Sequence, residues 1–301
     1  MQNSANSEKN NNHGSVLGAT CMCFAYIMWG LTPLYTQFME DIPFAEVVTH
    51  RILWSLPGIF FAVAYFSKNL SSLKSTIKNT RVLSMLVLST TLLACHWGVF
   101  VYALLSKRGF ETSLSFFITP ILSIAMGAII LKERLNRLQI VATLLTGGAL
   151  AIMTIYNGMP LLSVGIAITW SGYCFTRKTI KADSNIGFLV EMLILAIPAL
   201  FYTFWLLVKG NAYFLKSFPD TAFLMGYGII NSLVFCVFSY GIKKTRLSTV
   251  GIMEYIAPIM ILANTTLILK QPINRVDVIV FIIVFVSMLI YMMPTVLGDR
   301  K

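Results

Sequence analysis

Apolar stretches of about twenty residues recur ten times along the chain, and no other feature restricts its fold as severely. A run of that length, wound as a helix, matches the hydrocarbon thickness of a bilayer. Only helices and closed barrels satisfy every backbone N–H and C=O in lipid. The runs are continuous rather than alternating, so they read as helices. The predicted spans cover roughly 15–38, 44–66, 81–105, 111–131, 137–156, 160–176, 186–208, 219–241, 248–269 and 275–297. The sixth is the shortest. Residues 1–14 are polar and Asn-rich and are expected to form a disordered cytoplasmic tail. They lack the basic region and small-residue cleavage site of a signal peptide, and the apolar run behind them is too long for one.

Charge says how such a bundle would sit. Only 12% of residues are charged, against about 25% in soluble domains. The net charge is +11, yet the basic residues flank apolar runs instead of gathering on one face, which argues against nucleic acid. With the N-terminus placed in the cytoplasm, sixteen of the 23 Lys and Arg fall on the inner side and six on the outer, Arg51 lying within a span. That bias predicts a multi-pass protein of the inner (plasma) membrane with both termini cytoplasmic. The five cysteines all lie in apolar runs. Cys21 and Cys23 point about 200° apart on a helix, so they read as small apolar fillers and no metal site is expected.

An internal repeat organises the spans. At a shift of 138 residues, FFITPILSIAMGAIILKERLNR lies on EYIAPIMILANTTLILKQPINR with nine identities, Pro120/Pro258 and Arg137/Arg275 among them. The expected fold is therefore an all-α membrane protein of ten helices in two halves, 15–156 and 160–297. Five helices per half place the second half upside down relative to the first. Inverted repeats of this kind characterise secondary transporters, which bind solute near the midplane between the halves.

Ionisable groups inside lipid are costly and mark candidate sites. His50 and Arg51 in the second span and His96 in the third are expected to form an outer cationic cluster that meets an anionic group, with Glu46 and Glu111 at the rim. The plainer reading is an Arg51–Glu pair that fixes helix register. Glu191 and Glu254 are expected in the cytoplasmic third, where two carboxyls in a low-dielectric site favour holding a proton; this suits proton coupling. The plainer reading pairs them with Arg177, Lys178, Arg246 or a neighbouring hydroxyl. Pro120 and Pro258 read as mid-helix kinks lining a cavity. Trp54, Trp97, Tyr102, Tyr173 and Tyr255 are candidate cavity aromatics. Ala94, Gly98, Gly147 and Gly148 read as sites of close helix packing.

No P-loop, HExxH or GxSxG is present, and no catalytic residue, metal or cofactor is expected. Three readings remain: a transporter, a non-transporting membrane scaffold or sensor, and a membrane enzyme acting on a lipid-linked substrate. Expected partners are a small-molecule solute and membrane lipid, with no nucleic acid and the oligomeric state open.

The segments SVLGATCMCFAYIMWGLTPLY, EVVTHRILWS, HWGVFVYAL, SLSFFITPILSIAMGAIILKERLNRLQ, FTRK, GFLVEMLILAIP and STVGIMEYIAP together resemble the RarD group of EamA-type transporters, in the drug/metabolite transporter superfamily. The resemblance runs from about residue 15 to 297. It implies ten helices in two inverted EamA repeats, cytoplasmic termini and a permease, customarily tied to chloramphenicol sensitivity or resistance, whose relatives export metabolites or drugs. Several positions depart from the family pattern: His96 stands for Asn, Thr119 before Pro120 for Asn, Glu254 for Gln and Lys270-Gln271-Pro272 for Gly-Glu-Pro, and Asn231-Ser232 lies near an expected Pro; three of these fall at expected cavity positions. The reading that follows is a permease exporting a small metabolite or drug-like solute by alternating access.

Overall fold

The structure, a computed structural model, describes residues 2–66, 71–130, 137–182, 184–244, 253 and 255–297. All regular structure among the described residues is helical. In chain order the helices are α1 (Gln2–Gly30), α2 (Thr32–Thr36) with a 3-10 turn Gln37–Met39, α3 (Phe44–Phe66), α4 (Ser71–Lys78), α5 (Thr80–Leu105), α6 (Gly109–Ile130), α7 (Arg137–Asn157), α8 (Leu161–Thr179), α9 (Ser184–Lys209), α10 (Phe218–Lys244), α11 (Ile256–Ala263) with a π turn Asn264–Ile268, and α12 (Arg275–Leu297). Local chemistry sets several starts. Asn79 caps α5 by accepting from the Val82 N–H at 3.2 Å. Asn274 and Asp277 exchange backbone-to-side-chain bonds at 2.8 and 3.0 Å, a reciprocal capping box that starts α12.

Among the described residues, five helical segments are long and apolar enough to cross a membrane: Phe44–Ala64, Thr80–Leu105, Arg137–Asn157, Asn185–Lys209 and Phe218–Phe238. A sixth counts if Val16–Gly30 and Thr32–Met39, bent by 40°, form one span. The described residues do not meet all ten predicted spans: within 248–269 they give an eight-residue helix running into a π turn, and α8 carries polar residues and Arg177 within its nineteen residues. Residues 2–14, expected to be disordered, continue α1 as helix; extending an existing helix avoids the cost of nucleation.

The helices pair in a pattern with internal symmetry. α3 packs on α10 and α9 on α5; α1 packs on α10 and α8 on α5; α6 packs on α8 and α11 on α1. The pairs α3–α9, α6–α11 and α7–α12 also pack together. Exchanging α1, α3, α5, α6 and α7 for α8, α9, α10, α11 and α12 maps these contacts onto themselves. The helices carrying the sequence repeat, α6 and α11, therefore face each other.

The tightest seam runs between α3 and α10. A Cβ on Gly228 would lie 2.6 Å from Trp54 Cβ, 2.9 Å from the Trp54 carbonyl carbon and 3.0 Å from the Arg51 carbonyl oxygen. Ser55 Oγ donates to the carbonyls of Arg51 (2.7 Å) and Gly228 (3.2 Å). One turn on, Ser232 sits against Gly58, and Cys236 approaches the Gly58 carbonyl at 3.9 Å. Small residues four apart on α10, Gly228, Ser232 and Cys236, let the backbones approach. The glycines expected to do this do not: a Cβ on Gly98, Gly147 or Gly148 would meet nothing within 4 Å, because each faces away from a neighbouring helix.

Pro258 lies just past an interruption of its helix. Met253 is helical, Tyr255 is a turn and helix resumes at Ile256, so Pro258 falls in the first turn after it, where a missing N–H costs nothing. Its carbonyl accepts from Ser113 Oγ on α6 at 2.8 Å. A further irregularity follows at the π turn Asn264–Ile268. Pro120 lies inside α6 as expected.

Candidate functional site

Arg51 lies two turns into α3 and is 7% exposed. Its guanidinium donates to the Tyr227 hydroxyl at 3.0 Å and to Asn231 Oδ1 at 2.9 Å. Its Cζ stands 4.4 Å from the Trp97 ring centre and 5.0 Å from that of Tyr227. Both rings stabilise the cation through their electron-rich faces. None of the ion pairs among the described residues involves Arg51. The Arg51–Glu pair of the plainer reading does not form: Glu46 accepts from the Tyr213 and Phe214 N–H groups at 2.8 and 2.9 Å, and Glu111 pairs with Arg108.

Two cavities meet at Arg51. The inner one, about 100 Å³, is lined by Arg51, His96, Trp97, Trp170, Asn231, Phe235, Phe238 and residues around them. The outer one, about 300 Å³, lies between the bend after α1 and α10, and shares Trp29, Thr32, Arg51 and Asn231 with the first. Part of the inner wall repeats across the two halves: at the 138-residue shift Trp97 and Phe100 of α5 correspond to Phe235 and Phe238 of α10, and Trp29 of α1 and Trp170 of α8 also line it. His96 rests 4.8 Å from Trp170 and 5.9 Å from Phe100. Its Nδ1 lies 3.3 Å from the Ile166 carbonyl; a carbonyl only accepts, so that nitrogen is the donor. Around the two prolines, Phe116, Ala257 and Ile261 line the cavity.

The expected outer cluster is divided. Arg51, His96 and Trp97 share the inner cavity. His50, one residue from Arg51 and so about 100° round the helix, faces the α9–α10 connection instead. Its ring stacks on Phe214 at 4.3 Å, and neither ring nitrogen has a hydrogen-bond partner. Trp54 packs on Phe214 at 6.2 Å and against Gly228. Tyr102 is 45% exposed and meets Phe44 edge-on at 5.5 Å. Tyr255 is buried against Phe117 at 5.8 Å. These four therefore stand apart from the Arg51 cavity.

Glu191, fully buried on α9, forms a second centre. It accepts from Ser89 Oγ at 2.5 Å and from the Tyr173 hydroxyl at 3.2 Å, and lies 3.5 Å from Arg177 Nη1. The absent side chain of Gly187 leaves room for that guanidinium. Of the expected partners, Arg177 and two hydroxyls are present. Glu254 lies outside the described residues.

Tyr227 and Asn231, which hold Arg51, were marked in the sequence only by Asn231 as a polar residue in an apolar run. Phe235 and Phe238 had a usable signal, their correspondence to Trp97 and Phe100 at the 138-residue shift.

Comparison with known proteins places this geometry. The model of the EamA-like transporter family matches residues 16–155 and again 157–293. "Protein RarD" of Salmonella typhi is 29% identical over 282 residues, covering 92% of this chain and 95% of that protein. "Uncharacterized transporter YojE" of Bacillus subtilis is 29% identical over 291 residues, covering 94% and 96%. A solved crystal structure 16% identical in sequence superposes with a TM-score of 0.63 over 94% of this chain and 97% of its own, which speaks for the fold alone.

Proposed function

This chain belongs to the EamA-like transporter family, and from that premise we propose that it is a secondary transporter exporting a small metabolite or drug-like solute by alternating access. As a multi-pass membrane protein with relatives named as transporters, it is read as a permease and not an enzyme. The observation that carries the proposal is the aromatic cavity between repeat-related helices, with buried Arg51 on its wall. A non-transporting scaffold has no use for a cavity that holds a cation in an apolar interior. The proposal includes ten spans in two inverted halves, 15–156 and 160–297, in the inner membrane with both termini cytoplasmic. Arg51, His96 and Trp97 engage the solute, and the bends at Pro120 and near Pro258 shape the helices around it.

Proton exchange is placed on Glu191, which has to part from Arg177 to bind a proton; Glu254 is its proposed companion. The test is flux of a labelled solute in proteoliposomes with and without an imposed pH gradient. Transport is expected to respond to the gradient in the wild type. Glu191→Gln is expected to lose that response while retaining gradient-independent exchange. Flux that ignores the gradient in both proteins removes the proton assignment and leaves the permease reading in place.

A further inference from the structure

Resting on the transporter reading, we infer that the Arg51 cavity is a site for a single-ring aromatic monoanion, a carboxylate above all. A guanidinium taken out of water needs a compensating charge, and the desolvation cost is several kcal/mol without one. Arg51 is 93% buried and takes part in no ion pair among the described residues. Tyr227 and Asn231 offer it oxygen acceptors but no charge.

The donors left over point to the same ligand. Arg51 Nε has no hydrogen-bond partner, nor does Asn231 Nδ2, whose amide is oriented by its Oδ1 accepting from Arg51. Both side chains are more than nine-tenths buried, and both line the two cavities. Two buried N–H donors on one wall suit the two oxygens of a carboxylate. The same cavity is lined by the rings of Trp29, Trp170, Phe235 and Phe238, which suit an aromatic body. The inner volume of about 100 Å³ is below the roughly 300–1,000 Å³ of sites for drug-sized ligands, so a single ring fits the chamber better than a fused system. No Asp or Glu is among the described residues lining either cavity. Those residues offer an amine no counter-charge, while Arg51 offers one to an anion.

The experiment measures binding of phenylacetate, phenylacetamide and phenethylammonium to the purified protein, by quenching of the tryptophan fluorescence that Trp29, Trp97 and Trp170 supply. Phenylacetate is expected to bind at least about tenfold more tightly than the amide, the effect of one charge-assisted hydrogen bond, with the ammonium weakest. Asn231→Leu is expected to weaken the anion by about tenfold and the neutral amide by less. Arg51→Met is expected to erase the preference; should that variant not fold, Arg51→Lys, which keeps the charge and loses the planar fork, is expected to reduce it. Equal binding of the three probes, tighter binding of the amide or the ammonium, or binding of none overturns the inference. Proteoliposome flux separates this from the transporter reading. Movement of phenylacetamide without phenylacetate removes the anion site and keeps transport. Binding of phenylacetate with no flux of any probe keeps the site and removes transport.

Discussion

Glu191→Ala is expected to destabilise the protein by about 3–5 kcal/mol, the range for removing one member of a buried ion pair. Glu191 is fully buried, and its carboxylate is the shared acceptor of Ser89, Tyr173 and Arg177. Removing it takes the acceptor from the buried Tyr173 hydroxyl, leaves Ser89 with only the Leu86 carbonyl, and takes a carboxylate from beside a guanidinium that is 17% exposed. Glu191→Gln keeps the shape and hydrogen-bonding capacity and is expected to lose less. The double substitution Glu191→Leu with Arg177→Met is expected to regain much of the loss, since it removes both charges together. The apparent unfolding midpoint in one detergent, measured for the two singles and the double, checks this. Losses that simply add would show that the two groups do not interact.

Gly228→Ala is the second large effect. The new methyl would press on the Trp54 backbone and the Arg51 carbonyl, which cannot rotate aside as a side-chain tip can. Overpacking of this kind costs about 1–3 kcal/mol or more, and here the displaced strut is the turn of α3 that carries Arg51. Loss of solute binding is therefore expected together with a lowered unfolding midpoint. Gly98→Ala is the matched control, because its methyl would meet nothing within 4 Å. Its midpoint is expected to stay within about 0.5 kcal/mol of wild type. Equal behaviour of the two variants would contradict the tight α3–α10 seam.

The contrast between these glycines shows where the sequence is readable. Apolar runs and the 138-residue repeat identify helices and their kinship, since both depend on local composition and order. Which face of a helix meets a neighbour depends on rotation and packing, and Gly98 and Gly228 look alike until that is known. The spacing of Gly228, Ser232 and Cys236 was the better signal. The same limit divides the candidate site. Arg51, His96 and Trp97 are ionisable or aromatic residues in lipid-length runs and reach the cavity. His50 is their sequence neighbour, yet one step along a helix turns it to Phe214. Glu191 was legible as a buried carboxyl, but its partners Ser89 and Arg177 are distant in sequence and unremarkable alone.

The solitary cation has an electrical consequence. A charge displaced across a membrane potential gains or loses about 2.3 kcal/mol per 100 mV. If Arg51 shifts along the membrane normal as the cavity changes sides, the empty carrier moves a net charge through the field, whereas an anion-loaded carrier moves a neutral complex. Voltage would then govern the return of the empty protein and spare the loaded passage, so exchange of one anion for another should run unchanged at potentials that arrest net export. An imposed potassium diffusion potential in the proteoliposomes reads this difference directly.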